Sequence, residues 1–306
     1  MMEELATFIT VVRCGSMSRA AQELHLSQPA ISQRLRALED EYGTPLLRRT
    51  NRGVELTQAG DILARYARRL LNLNKLLQEE MDSLRSEEPR QVVIGATSAI
   101  GGYALPCTIY LFQQKYPTAR VQLVIGKRSE TLQRLNDGAL DLALVEGPDT
   151  VAPPDDLDGW QSVVVSEEDL VLVTPVSGPL AAPASYSLDM LQKTPLILRE
   201  QGSGTRMVIE EAFRNQGLHL SDLHVAVEMS GLDAIKTSVA QGHGVALLSK
   251  WCTKVEARMG TLRVAPLEGI RFTSRWTLIF PRSSQRTTLH RALVRTLRSP
   301  AERGFC

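Results

Sequence analysis

Residues 17–36 read MSRAAQELHLSQPAISQRLR, and this stretch predicts two short helices joined by a tight turn. Ser27 stands where the second helix needs an N-cap, and Pro29 falls in its first turn, where a missing N–H costs nothing. The apolar residues that follow recur at i, i+4 and i+7 and predict one buried stripe. They are Ile31, Leu35 and Leu38. Ser18 is predicted to cap the first helix, whose two alanines suit close helix packing.

The opposite side of the second helix is polar. With about 100° between successive residues, amide, hydroxyl and guanidinium groups collect there. These groups read base edges and phosphates in a DNA major groove. The side chains on or beside this face are Gln28, Pro29, Ser32, Gln33, Arg34 and Arg36. The pattern predicts a DNA-reading helix; a small helical domain with a solvated polar face is the alternative.

A basic tip follows this helix. Gly43 turns the chain, and residues 48–53 read RRTNRG, where a short hairpin would form a wing. Arginines at such a tip are placed for phosphate or minor-groove contact. The candidate contacts in the wing are Arg48, Arg49, Thr50 and Arg52. The acidic residues 39–41 would repel phosphate, so we expect them to face away from DNA.

The same residues resemble a known family. The pattern AAxxLxxSQPAISxxLxxLE over 20–39 resembles the DNA-binding segment of LysR-type transcriptional regulators, as do GTPLLxR over 43–49 and LTxAG over 56–60. The resemblance implies a winged helix-turn-helix that binds double-stranded DNA. The helical residues that would contact DNA are Ser18, Ser27, Gln28, Pro29, Ser32, Gln33, Arg34 and Arg36.

Residues 57–86 read as one long helix, since they contain no proline and only one glycine. Apolar side chains recur there with 3-4 spacing, with an interruption near Glu80, and predict a coiled-coil seam. The seam residues are Leu63, Tyr66, Leu70, Leu73, Leu77 and Leu84. A lone amphipathic helix is the alternative. In LysR-type regulators this helix pairs antiparallel with its copy, so the resemblance implies a homodimer on a pseudo-palindromic operator and, by analogy, a dimer of dimers.

From Gln91 onward, short β-rich runs alternate with helical patterns and predict an α/β region with a largely parallel sheet. The resemblance implies a two-lobed effector domain of the periplasmic-binding-protein type, so the chain is expected to be multi-domain with an all-α N-terminal part. The expected domains are a DNA-binding domain at 1–57, a linker helix and hinge at 58–88, and an effector domain at 89–306. Lobe one is expected at about 91–161 and 269–306, and lobe two at about 162–268.

Three predicted helix N-termini at strand ends form a candidate anion site, because orphan N–H groups and the helix dipole attract negative charge. They contain Thr97 and Ser98, then Ser129 and Thr131, then Gly202, Ser203, Gly204, Thr205 and Arg206. Simple helix capping is the alternative for each. These stretches resemble the branch of the family that regulates sulfur assimilation or carbon fixation, which implies a small anionic effector in the interlobe cleft. Lys127 and Arg128 depart from that branch and favour a more highly charged anion, unless they point to solvent.

Composition limits the remaining classes. The 306 residues carry a net charge of +1, which argues neither for nor against nucleic acid. No metal-ligand spacing or catalytic pair is recognisable, so we expect no metal, no cofactor and no enzyme activity. Four widely spaced cysteines predict free thiols in a reducing cytosol. An acidic N-terminus and the lack of a long apolar run predict a cytoplasmic protein with no membrane partner. A constitutive regulator, a solute-binding protein and an enzyme on the two-lobed fold are the alternatives.

Overall fold

The computed structural model describes residues 1–50, 53–83, 91–148, 160–181, 183–281, 288–299 and 304–306. The chain divides into two compact units. One unit comprises Met1–Glu88 with Asn136–Gly138, and the other comprises Pro89–Leu135 with Ala139–Cys306. Among the helices described, none combines the length and apolar character that a membrane span requires.

The first unit is mostly helical. Its elements are α1 (Met2–Cys14), α2 (Met17–Glu23), α3 (Gln28–Tyr42), β1 (Leu47–Thr50), β2 (Gly53–Leu56) and α4 (Gln58–Ser83). The predicted helix-turn-helix is α2 and α3. Ser27 Oγ accepts a hydrogen bond from the Ala30 N–H at 3.3 Å, so the predicted cap of α3 is confirmed. The cap of α2 is Ser16 and not Ser18, because α2 begins at Met17 and the Ser16 side chain accepts from the Arg19 N–H.

One hydrophobic core holds these helices together. Ile31, Leu35 and Leu38 are buried as their spacing predicts, and they share a cluster with Leu5 and Phe8 of α1. The two alanines of α2 are buried in the same cluster and let α2 approach closely. Because every apolar side chain of the α3 stripe is used in this core, only the polar side of α3 is left exposed.

The linker helix α4 has two different faces along its length. Its first turns pack on α1, and Leu63 is buried in the core of the unit. The prediction that Leu63 belongs to the seam is therefore wrong. Farther along, large apolar side chains form an exposed stripe, here called the α4 stripe. Its members are Tyr66, Leu70, Leu73, Leu77 and Met81. Met81 continues the stripe past the interruption predicted at Glu80, whereas Leu84 and the hinge at 87–89 lie outside the described residues.

The second unit alternates strands and helices. Its strands are β3 (Gln91–Thr97), β4 (Arg120–Gly126), β5 (Leu142–Gly147), β6 (Trp160–Thr174), β7 (Leu196–Arg199), β8 (Val225–Met229), β9 (Ala246–Ser249), β10 (Arg263–Ala265) and β11 (Thr273–Pro281). Its helices are α5 (Leu105–Lys115), α6 (Arg128–Asn136), α7 (Leu188–Lys193), α8 (Gly204–Asn215), α9 (Leu232–Ala240), α10 (Lys250–Met259) and α11 (Thr288–Arg298). A π-helical segment (Ile100–Ala104) leads into α5; such segments are common near functional sites.

The strands of this unit form two lobes. In lobe one, β3 pairs in parallel with β4 and β5, and β5 pairs antiparallel with β11. In lobe two, the end of β6 pairs antiparallel with β9 and β10, while β7 pairs in parallel with β8. The predicted two-lobed α/β architecture is confirmed. The sheets are mixed and not largely parallel, because β6 and its three neighbours all pair antiparallel.

Strand β6 belongs to both lobes. Residues 160–169 pair with β11, and residues 170–173 pair with β9. The chain therefore passes into lobe two near residue 170 and not at the expected 161–162, and it returns near residue 272, where β11 begins. The sequence predicts a strand only from residue 170, since the first part of β6 contains polar residues at most positions.

Two of the four cysteines form a disulfide bond. Cys107 and Cys306 have Cα atoms 5.3 Å apart and are separated by 199 positions in the chain. The prediction of free thiols is wrong for this pair, because spacing in the sequence does not reveal that α5 lies beside the last residue. Cys14 and Cys252 are free thiols, and Cys252 is buried.

Candidate DNA-reading surface and effector cleft

The exposed side of α3 gathers five of the eight DNA contacts that were predicted in the helix-turn-helix. Gln28, Pro29, Gln33 and Arg36 are exposed, and Ser32 is half-buried against α2. These positions span less than half a turn of the helix circumference, opposite the buried stripe. The surface therefore offers amide, hydroxyl and guanidinium groups side by side, which is the chemistry that major-groove recognition uses.

Ser18 joins this surface although it does not cap α2. Gln28 Nε2 donates a hydrogen bond to Ser18 Oγ at 2.9 Å, and both residues are exposed. The bond crosses the turn between α2 and α3 and fixes the direction of the Gln28 amide before any partner binds.

Arg34 pairs with residues of α1. Its Nη2 atom lies 2.6 Å from Glu3 Oε2, and its Nη1 donates to Thr7 Oγ1 at 3.2 Å. Both partners belong to α1, so the guanidinium ties α3 to α1 inside the unit. Its position next to the buried stripe turns Arg34 toward α1, and its contact with DNA stays a prediction.

The predicted wing is a β-hairpin. Strands β1 and β2 pair antiparallel with Thr50 opposite Gly53. Arg48 is exposed and pairs across the hairpin with Glu55 at 2.8 Å, so part of its charge is compensated within the wing. The side chain of Arg49 and the whole of Arg52 lie outside the described residues.

The wing is anchored to the turn between α1 and α2. The Val54 N–H donates to the Gly15 carbonyl at 3.1 Å. Gly53 has a φ of 128°, and a Cβ at this position would overlap the same carbonyl oxygen. The close backbone approach therefore requires glycine at 53 and fixes where the wing stands beside the helix-turn-helix.

In the second unit, three of the predicted effector residues, Thr97, Gly204 and Thr205, lie at a buried carboxyl group. Glu146, at the end of β5, is 1% exposed. Its backbone N–H donates to Thr97 Oγ1 at 3.3 Å, and its Oε1 accepts from Thr205 Oγ1 at 3.0 Å. Gly204 lets this approach happen, since a Cβ there would overlap the Glu146 carbonyl oxygen and Cγ. In the structure the N-terminal turn of α8 is therefore in contact with the protein's own Glu146 carboxyl group.

Two buried arginines lie near this carboxyl group. Burial raises the pKa of Glu146, and the positive charges of Arg199 and Arg128 act in the opposite direction. Arg128 Nη1 donates to the Glu146 carbonyl oxygen at 3.0 Å, and Arg199 also pairs with Glu200 at 2.8 Å. Of the two cations predicted at the cleft mouth, Arg128 therefore points inward. Glu146 and Arg199 were missed at the sequence level, although a carboxylate closing an apolar strand was a visible signal.

Other predicted effector residues already have contact partners within the protein. Arg206 lies 2.8 Å from Glu210 and 2.7 Å from Glu228, and it donates to the Arg199 carbonyl. Thr131 is buried, and its methyl group lies against Gly95. In the structure Arg206 is thus an internal ion-pair residue and Thr131 a packing residue, and their contact with an effector stays a prediction.

The remaining candidates lie where the two lobes approach each other. Ser98 is half-buried at the end of β3, and Ser129 is exposed in the first turn of α6, which begins at Arg128 and is not capped by Ser129. A Cβ on Gly202 would stand 3.8 Å from Ser129 Oγ, so α6 of lobe one faces the loop before α8 of lobe two. Ser203 caps α8 by accepting from the Arg206 N–H. Ser98, Ser129 and Gly202 are thus the part of the predicted site that a ligand can still reach.

A second buried carboxyl group, that of Glu168 on β6, is the group through which we expect pH to affect the stability of this unit. Its Oε1 accepts a hydrogen bond from Trp276 Nε1 at 3.1 Å. Burial raises the pKa of Glu168 to about 7; hydrogen bonding by Ser249 opposes this shift, and the charge of Glu146 adds to it. The pKa of Glu168 in the folded protein exceeds its ordinary value of 4.5. The neutral carboxyl group therefore gives its full stabilisation below pH 4.5, and this stabilisation is lost as the pH rises through 7.

We therefore expect Glu168→Gln to stabilise the second unit at pH 8 and to have little effect near pH 5. Glutamine keeps the acceptor for Trp276 but cannot ionise. At pH 8 the free energy of unfolding of the variant should exceed that of the parent by about 3 kcal/mol at most, since one pKa unit corresponds to about 1.4 kcal/mol. Thermal unfolding of both proteins across this range measures it, and a difference that stays constant with pH contradicts the role of ionisation.

A DNA-reading helix-turn-helix with a wing, followed in the same chain by a two-lobed α/β unit, defines a one-component transcription regulator. The model for "Bacterial regulatory helix-turn-helix protein, lysR family" matches residues 2–61, and that for "LysR substrate binding domain" matches residues 85–301. The chain belongs to the LysR family of transcription regulators. Because the family match covers both units, the predicted resemblance is confirmed.

The relatives that the chain matches are also regulators. It is 32% identical to the HTH-type transcriptional activator CmpR of Synechocystis sp. over 93% of this chain and 90% of that protein. It is 29% identical to the RuBisCO operon transcriptional regulator of Allochromatium vinosum over 100% of this chain and 98% of that protein. These relatives support the carbon-fixation side of the predicted branch.

Solved structures share the fold. Full-length CbnR in complex with its target DNA covers 97% of this chain and 99% of its own, with a TM-score of 0.65 and 24% identity. The Synechocystis CcmR regulatory domain in complex with 2-PG covers 68% of this chain and 95% of its own, with a TM-score of 0.59 and 22% identity. At these identities the likeness extends to the fold.

Proposed function

We propose that this regulator acts as a homodimer that binds a pseudo-palindromic site in double-stranded DNA through α3 and the wing. The observation that carries the proposal is the exposed face of α3, where Gln28, Gln33 and Arg36 stand together while the apolar side is buried. The presence of target DNA in the CbnR complex supports this use of the fold. The regulator would work in the cytoplasm, where bacterial DNA is read.

The α4 stripe supports the homodimer. Its residues Leu73 and Leu77 are each more than half exposed in a single chain, and a stripe at 3-4 spacing is the pattern by which helices pair. A second copy would cover these side chains and place two reading surfaces on one duplex, as half-site symmetry requires. Assembly into a dimer of dimers rests on the resemblance to the family.

Replacing Arg36 with alanine is expected to weaken DNA binding by about tenfold, since a base or phosphate contact by arginine contributes about 1–3 kcal/mol. The measurement is the dissociation constant, over a range of salt concentrations, on a duplex selected by the protein from a random pool. Arg34→Ala is the matched control: it removes the same charge two positions away, from a side chain that pairs with Glu3.

The control should lower the stability of the first unit and leave the affinity of the folded protein nearly unchanged. If both variants weaken binding equally when folded, the division of α3 into a packing side and a reading side is incorrect.

The proposal extends to an effector: a small molecule with an anionic group binds where Ser98, Ser129 and the loop at Gly202 come together, and it shifts the DNA-bound arrangement. Support comes from the hydroxyl groups left accessible there and from the positive charge of Arg128 beneath them. The Synechocystis CcmR domain with 2-PG has the same fold. The shift requires that the ligand bind one arrangement better than the other.

A constitutive regulator is the second candidate, and one observation favours it. The N-terminus of α8 already holds the Glu146 carboxylate, so the strongest predicted anion site is satisfied without a ligand. An effector must then bind beside this pair and not in its place.

Thermal unfolding in the presence of a panel of small anions separates these two candidates. A true effector at 100 times its dissociation constant stabilises the folded protein by about 2.7 kcal/mol. Ser98→Val and Ser129→Ala should each reduce that shift, whereas Ser221→Ala, at an exposed position in lobe two, should not. If no anion of the panel stabilises the protein and none changes its affinity for DNA, the result supports the constitutive regulator. Thr205 is unsuitable for this test, because its loss would leave the buried Glu146 carboxylate without its donor.

A further inference from the structure

The disulfide between Cys107 and Cys306 joins the last residue of the chain to the first turn of α5. Both cysteines are exposed. The Cys306 N–H donates to the Ala104 carbonyl at 3.1 Å, and the Cys107 N–H donates to Cys306 Sγ at the same distance. Cys306 is therefore held on lobe one by one covalent bond and by two hydrogen bonds from backbone N–H groups, one of which ends on its own sulfur.

The residue before this disulfide packs into a cluster of aromatic rings. The Phe305 ring centroid lies 5.9 Å from that of Trp251 and 5.2 Å from that of Trp276, and the two tryptophans are 5.8 Å apart. Trp251 belongs to α10, which directly follows β9 of lobe two, whereas Trp276 belongs to β11 of lobe one. Phe305 thus stands between an element that continues lobe two and the sheet of lobe one.

A lysine completes this contact on α10. Lys254 Nζ lies 3.4 Å from the centroid of the Trp251 ring and donates to the Cys306 carbonyl at 3.1 Å. Residues 305–306 therefore contact α10 through a ring pair and a hydrogen bond, while Cys107 fixes them to α5. We call these two residues, held by the disulfide, the C-terminal strap.

We propose that Cys107 and Cys306 are a reversible thiol–disulfide modification site, and that reduction releases the C-terminal strap from α10. An exposed disulfide is open to attack by a thiolate, and its partner here is a small thiol or dithiol. The thiolate bonds to one sulfur and breaks the Cys107–Cys306 bond, and a second thiol then displaces the resulting mixed disulfide. Two electrons pass to the protein, two cysteine thiols form, and the small thiols leave as their disulfide.

Release follows because the remaining contacts are weak once the covalent bond is gone. Phe305 is then held by its contacts with the two tryptophan rings, and Cys306 by single hydrogen bonds. These noncovalent contacts compete with the conformational freedom that the released residues regain. Without the strap, α10 keeps only its own packing on lobe one. The redox state of the cysteine pair therefore sets how firmly α10 is held there.

The test uses the full-length chain in glutathione buffers of increasing reduced fraction, with no DNA present, so its outcome is independent of the proposed function. Alkylation with iodoacetamide and mass spectrometry report each thiol. Tryptophan emission, in a Trp160→Phe background that leaves only the two clustered tryptophans, reports the strap. We expect Cys107 and Cys306 to become alkylated together and the emission to shift as they do.

Three variants sharpen the result. Cys306→Ser should show the reduced emission at every glutathione ratio, and Cys14→Ser should respond like the parent. Phe305→Ala should retain the disulfide yet show the shifted emission without reductant. The proposal is overturned if the emission stays constant while both thiols become alkylated, or if the pair remains oxidised at every ratio.

Discussion

Gly204→Ala is expected to destabilise the second unit by about 3 kcal/mol or more, as overpacking and a disturbed buried hydrogen bond both contribute. The added methyl group would overlap the Glu146 carbonyl oxygen and Cγ. Neither atom can move easily, since the first is backbone in β5 and the second leads to the carboxylate that accepts from Thr205. Denaturant unfolding followed by tryptophan fluorescence measures the loss.

Gly102→Ala is the matched control for this prediction. A Cβ at Gly102 has open space around it within 4 Å, and Gly102 is exposed in the π-helical segment. The same methyl group should therefore change the stability by less than about 0.5 kcal/mol there. Equal effects at the two positions would mean that α8 and β5 are free to separate, and that the contact around Glu146 is not tight.

The second large effect is expected on the α4 stripe. A double substitution, Leu73→Glu with Leu77→Glu, should abolish dimerisation and lower DNA affinity by about 100-fold or more. Charges facing each other across a seam repel, and losing one of two linked reading surfaces removes the gain that bivalent binding provides. Analytical ultracentrifugation and DNA binding measure the two consequences separately.

The control lies one position away. Gln78→Glu adds a negative charge at an exposed position outside the stripe, so both mass and affinity should stay close to those of the parent. A double variant that remains dimeric would place the dimer interface elsewhere, and one that is monomeric but binds DNA with parental affinity would remove the need for two reading surfaces.

Local patterns determined most of what the sequence predicted correctly. The cap at Ser27, the buried stripe of α3, the hairpin of the wing and the exposed part of the α4 stripe all follow from interactions within a few residues. The resemblance to LysR-type regulators added the two-lobed fold, which periodicity alone leaves open. The sequence did not predict α7, β10 or α10. The first two are short, and α10 is polar on most of its sides.

What the sequence could not show depends on residues far apart in the chain. Arg34 looks like a DNA contact until Glu3 is found beside it, 31 positions away. Thr205 looks like a ligand donor until Glu146 is found 59 positions away. Sequence spacing locates a donor or an acceptor, whereas the identity of its partner is decided by tertiary packing. The partners of Thr205 and Arg206 at the predicted effector positions could therefore not be read from the sequence.

Strand β6 has a mechanical consequence for signalling. Its backbone is continuous, and it is hydrogen-bonded to β11 of lobe one at one end and to β9 of lobe two at the other. A strand held at both ends bends less readily than it twists about its own axis, since β-strands vary in twist at low cost. Binding of a molecule that bridges Ser98 or Ser129 to the loop at Gly202 would therefore rotate one lobe against the other by changing the twist of β6.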